Sequence, residues 1–163
     1  MRAFALARRR GDRGYSLIEL IIVSGILAVL AGAAMPMATV TMQRQREIQL
    51  RRSLREIRTA IDRHKDAVDL GVIGGITVES ENEGYPPDLE TLVDGVEILG
   101  DESEGKMRFL RRIPFDPFTR DQDWGLRGYE DELNSTRWSG DNVYDVYSRS
   151  NGVALDGTRY REW

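Results

Sequence analysis

The sequence predicts an α+β protein in which a long N-terminal helix, membrane-spanning in its first half, packs on a small antiparallel sheet. Three observations carry this. From Ser16 to Pro36 the chain runs 21 residues with one charge, which at about 1.5 Å per residue reaches roughly 30 Å, the apolar thickness of a bilayer. Leu50, Leu54, Ile57, Ile61 and Val68 then recur at steps of four, three, four and seven, an apolar stripe on one helical face. Farther on, residues 125–129 and 142–148 alternate as short strands do, most clearly through Val143, Tyr144, Val146 and Tyr147.

The expected organisation is a leader over residues 1–14, a long helix over 15–70 with its span at 16–36, and a globular domain over 71–163. Arg8, Arg9, Arg10 and Arg13 precede the apolar run, which keeps the N-terminus on the cytoplasmic side and places the residues beyond 36 outside. Ala31, Ala33 and Ala34 imitate the cleavage site of a secretory signal. The run is too long for one, since such signals have apolar cores of about 7–15 residues. Glu19 is the odd residue, because an ionisable group inside an apolar span costs on the order of 2–3 kcal/mol. Either it reaches water near the membrane surface, or a positive partner meets it within the membrane. Pro36 removes a backbone donor and disfavours helical geometry at Met35, so a bend or local melting is expected there. Gly71, Gly74 and Gly75 end the helix.

In the body, Asp88 is placed to cap a short helix through Leu92 after the extended Tyr85-Pro86-Pro87. Leu110 to Phe118 holds Pro114 and Pro117, so it forms a structured loop and no regular helix or central strand. Two or three short antiparallel strands follow from the alternating segments. The body is small, and small domains bury proportionally little surface, so it leans on the long helix.

Charge is informative. The whole chain is at −4, with 23 basic and 27 acidic residues; residues 1–14 hold five arginines and one aspartate, so without them 18 bases face 26 acids, a net −8. Residues 44–66 are basic (Arg44, Arg46, Arg51, Arg52, Arg55, Arg58, Arg63 and Lys65), whereas 79–104 are mostly acidic, a pairing that suggests self-association. Most of the helix charges read as a solvated face with local pairs such as Arg58–Asp62. An acidic chain argues against nucleic acid as a partner.

The N-terminus resembles the type IV pilins and the pseudopilins of type II secretion. Gly14, Tyr15, Ser16, Leu17, Ile18 and Glu19 match, in order, a leader glycine, an aromatic or hydrophobic residue, a small hydroxyl, apolar positions and a glutamate fifth in the mature chain; Pro36 matches the family's helix-kinking proline. The resemblance implies cleavage between Gly14 and Tyr15 by a prepilin peptidase and N-methylation of Tyr15. It also implies that Glu19 pairs with the N-terminal ammonium of a neighbouring subunit, so that assembly supplies the missing cation. Tyr85-Pro86, Pro114-Phe115-Asp116-Pro117, residues 144–148 and residues 150–157 are similar to the body of the major pseudopilin of type II secretion. That implies a homo-oligomeric helical filament that drives protein export across the outer membrane, working with minor pseudopilins and an inner-membrane assembly platform, from a single-pass bacterial inner-membrane protein with a periplasmic body. A type IV pilin or minor pilin for adhesion, motility or DNA uptake is the alternative, and a membrane-anchored periplasmic binding module is the alternative of another class. The resemblance further implies calcium in the C-terminal loop, but Asn151 stands where an aspartate is expected and Arg159 and Arg161 stand where acids would help. With so few acidic ligands left, no metal or other cofactor is expected.

Catalysis lacks its parts. With no cysteine and the one histidine, His64, on a charged helix, thiol, triad and zinc mechanisms are unsupplied. The carboxylates show no spacing that singles out an acid/base pair, so no enzyme is expected.

Overall fold

The computed structural model describes residues 14–73, 83–100 and 105–163, the side chains of 33–37 excepted. The leader residues before Gly14, the glycines at 74 and 75, and residues 79–82 and 101–104 of the acidic stretch lie outside the described residues. The chain divides into two compact units, one ending at Val40 and one spanning Thr41–Trp163. Helix α1, Leu17–Asp69, is 53 residues long and contributes to both. Its backbone stays helical through Pro36, so the melted alternative is not adopted there.

In the second unit the stripe does what its spacing dictates. Leu50, Leu54, Ile57 and Ile61 are at most 2% exposed, and they meet Leu89, Leu92, Leu110, Trp124, Val143, Val146 and Tyr160 in one core. Burying each such aliphatic side chain contributes about 1.5–3 kcal/mol. Ala67, Ile73 and Val96 form a second cluster, with Val68 packed against it. The step of seven between Ile61 and Val68 is filled by His64, which is buried, lies 3.1 Å through Nδ1 from the Gly84 carbonyl and meets the Phe109 ring edge-on.

Burial pushes the His64 pKa below its ordinary value, more than the Gly84 bond raises it. A histidine whose folded pKa is depressed stabilises the fold above its unfolded pKa, about 6.5, and that contribution is lost as pH falls from this value through the lower folded one. The melting temperature is therefore expected to hold down to about pH 6.5 and to fall below it, starting above the range where carboxylates titrate. A His64→Gln variant, already less stable, should show a flatter profile; an equal slope in both would remove His64 as the cause.

The helix ends in a Schellman motif. Val72 N donates to Ala67 O and Gly71 N to Val68 O, both at 2.9 Å, with Gly71 at φ 66°. Helix α2, Leu89–Asp94, begins at the expected cap: the Asp88 carboxylate accepts from Thr91 N at 2.7 Å. Among the described residues four strands form two antiparallel pairs: β1 (Val96–Glu97) with β2 (Lys106–Met107), and β3 (Gly125–Arg127) with β4 (Asp145–Tyr147). The second pair fulfils the expected alternation in shortened form, while the first, two residues per strand, adds a ladder that the sequence pattern does not predict. In the register, Gly125 faces Tyr147, whose ring lies 2.2 Å from where a Cβ would be, so only glycine admits it.

Candidate assembly site

In the first unit, Gly14 and Tyr15 are exposed just ahead of the helix. Ser16 O accepts from Leu20 N at 3.1 Å, so α1 begins at once and Glu19 falls in its first turn. Ser16 and Glu19 have the spacing of a capping box, and a carboxylate there is favoured by the positive end of the helix dipole by about 0.3–1 kcal/mol. Sequence reasoning did not weigh this first-turn placement, although the serine and the glutamate three residues later mark it. It gives Glu19 a task within its own chain alongside the pairing that the resemblance implies.

From Leu17 to Leu30 the large apolar side chains on every face of this helix are 48–78% exposed. A helix apolar all round is stable only against lipid or against other apolar surface. Among the described residues no helix is long and apolar enough to cross a membrane. The apolar run with described side chains, Leu17 to Gly32, is 16 residues, against the roughly 20 that a span requires.

In the second unit the Pro114–Pro117 loop is built around Asp116, 1% exposed. Its carboxylate accepts from Phe118 N at 2.7 Å and from Ser148 Oγ at 2.5 Å, and Trp124 Nε1 donates to Pro114 O at 2.9 Å. The loop is therefore an inward-facing brace between the core and β4. Arg58, expected to pair along the helix with Asp62, turns instead to Asp145 at 2.6 Å and donates to the Val146 and Trp163 carbonyls. The i,i+4 expectation fails because the long side chain reaches across to β4, where it gains two carbonyl acceptors as well as the charge. Arg127, 10% exposed in its side chain, shares the same Asp145 at 3.3 Å.

The segment from Val153 to Trp163 is fastened to the helix. Glu47 Oε1 accepts from Leu155 N (2.8 Å), Tyr160 Oη (3.0 Å) and Gln43 Nε2 (3.2 Å). Arg51 pairs with Asp156 at 3.3 Å and stacks over the Trp163 ring at 4.0 Å. Asp156 also accepts from Thr158 Oγ1 and N at 2.6 and 3.0 Å; these bonds, and then Arg51, hold its carboxyl below the usual carboxylate range. Asp156 thus closes a turn ahead of Gly157, which sits at φ 89°. Among the described residues no three acids or histidines gather as a metal cluster.

Residues 9–35 match the family described as the prokaryotic N-terminal methylation motif. No curated protein and no solved structure matches the chain. The N-terminus is therefore of the prepilin type, a class whose N-terminus anchors in the membrane, and the motif supports a type IV pilin-like chain. The long helix followed by small antiparallel sheets agrees with the pilin-like arrangement.

Proposed function

We propose that this chain is a structural subunit of a type II secretion pseudopilus. Its leader is cut between Gly14 and Tyr15 by a prepilin peptidase, Tyr15 is N-methylated, and the mature helix anchors in the bacterial inner membrane with the body in the periplasm. Subunits then assemble through the apolar helix, Glu19 meeting the amine of a neighbour and Pro36 supplying a bend, in company with minor pseudopilins and an inner-membrane platform. The observation that carries the reading is the methylation motif running directly into a helix with Glu19 in its first turn and apolar side chains exposed on every face. A body braced at Pro114–Pro117 and free of cysteine supports the pseudopilin over a pilin closed by a disulfide. The C-terminal loop is held to the helix by Glu47 and Arg51 and braced internally by Thr158.

Intact-mass and N-terminal analysis of the membrane-extracted protein tests this. The expected product begins at methylated Tyr15. A chain that keeps its leader in a cell with an active prepilin peptidase would sink the reading in favour of a simple anchor.

A further inference from the structure

The flank of α1 that faces the loop after β2 carries a groove lined by Arg52, Arg55, Arg63 and Arg111, with Glu56. Four guanidinium groups here surround one carboxylate. None of the five makes an ion pair or hydrogen bond among the described residues, unlike Arg51, Arg58, Arg127 and Arg149, each of which has a carboxylate partner. Four arginines against one glutamate leave the groove with an excess of positive charge, and guanidinium forks without an ion-pair partner suit planar carboxylates, which accept two parallel N–H bonds from each fork.

A surface of the opposite kind lies elsewhere on the same body. Tyr85, Tyr129 and Tyr144 pack ring to ring with centroids 5.2–5.7 Å apart, yet Tyr129 and Tyr144 are 49% and 45% exposed. Glu83, Glu130 and Asp141, close to them in the chain, are exposed and make no ion pair or hydrogen bond among the described residues. Aromatic faces edged by carboxylates attract a guanidinium twice, through the ring quadrupole and through charge.

The two surfaces sit on different flanks of one helix. Arg63 lines the groove, whereas Lys65 stands 5.8 Å over the Tyr85 ring, and residues two apart on a helix point about 200° apart. A contact joining two different surfaces of identical subunits propagates into an open helical filament wherever its rotation does not close into a ring. Resting on the filament reading, we propose that the arginine groove of one subunit takes the Tyr129/Tyr144 surface, with Glu130 and Asp141, of a second copy of this chain. A polyanion such as nucleic acid or a lipid headgroup is disfavoured by the net charge of −8 left once residues 1–14 are removed.

The absence of native cysteine makes the contact directly testable in the full-length chain in its own cells. A chain carrying both Arg63→Cys and Glu130→Cys should, on mild oxidation, give a ladder of covalent multimers, while either substitution alone gives none. Arg63→Glu with Arg111→Glu should lower sedimentable filament about tenfold, and adding Glu130→Arg with Asp141→Arg should restore much of it. Both surfaces are exposed, and an unchanged melting temperature checks that the body is intact. Wild-type filaments with no cross-linked ladder would overturn the inference and leave the filament reading standing. So would dimers from Arg63→Cys alone, or wild-type filaments that bind anionic vesicles or DNA through Arg63 and Arg111 while the acidic substitutions restore nothing. A wild-type chain that forms no filament and lacks methylated Tyr15 overturns both.

Discussion

Replacing Glu19 with alanine is expected to leave the chain in the membrane and to abolish its filaments. Alone in lipid the carboxylate costs on the order of 2–3 kcal/mol, offset in part by its place in the first turn of α1, worth about 0.3–1 kcal/mol. Alanine removes both, and the desolvation cost is the greater of the two, so insertion holds or improves. Assembly loses a buried ion pair on one side only, and the orphaned amine of each neighbour then costs about 3–5 kcal/mol per contact. Glu19→Gln separates the two roles. Glutamine matches glutamate in size and helix propensity but carries no charge, so it should preserve the helix and still fail to assemble. Membrane flotation and recovery of sheared filaments measure both halves. Normal filaments from either variant would refute the pairing.

Asp116→Ala carries the largest effect expected in the body. Two strong donors, Phe118 N and Ser148 Oγ, point at a carboxylate that is 1% exposed. Without it the buried Ser148 hydroxyl loses its acceptor and the part-buried Phe118 N its partner, at about 1–3 kcal/mol each, and a small cavity adds to the loss. A destabilisation of about 3–5 kcal/mol lowers the melting temperature of a body this size by about 15 °C. Asp116→Asn keeps an acceptor for Phe118 N and should lose roughly half as much. A melting temperature within a few degrees of wild type for the alanine variant would show that the brace is not structural.

Much of the architecture was legible because period and punctuation are local properties. The stripe from Leu50 to Ile61, the cap at Asp88, the stop at Gly71 and the β3–β4 pair each announce themselves within a few residues. The features that escaped depend on partners distant in the chain. Strands β1 and β2, of two residues each, are too short for alternation to register. His64 has the look of one more polar residue on a charged helix, although it occupies the position that completes the stripe between Ile61 and Val68. Asp116 reads as part of a proline loop, with nothing local to say that its carboxylate turns inward to Ser148. Of the candidate site, the methylation motif is carried by neighbouring residues and so is local to the sequence, while the fastening of residues 153–163 by Gln43, Glu47 and Arg51 spans more than 100 residues and leaves no pattern to read.

That fastening bears on how fast the body matures. Its last segment is closed by carboxylate, guanidinium and indole contacts, and the chain has no thiol to oxidise. Disulfide closure takes seconds to hours and needs an oxidant and an isomerase, whereas hydrogen bonds and packed rings form on the timescale of folding itself. The body can therefore reach its final form on either side of a redox boundary, with no folding catalyst for thiols and no covalent step to wait for.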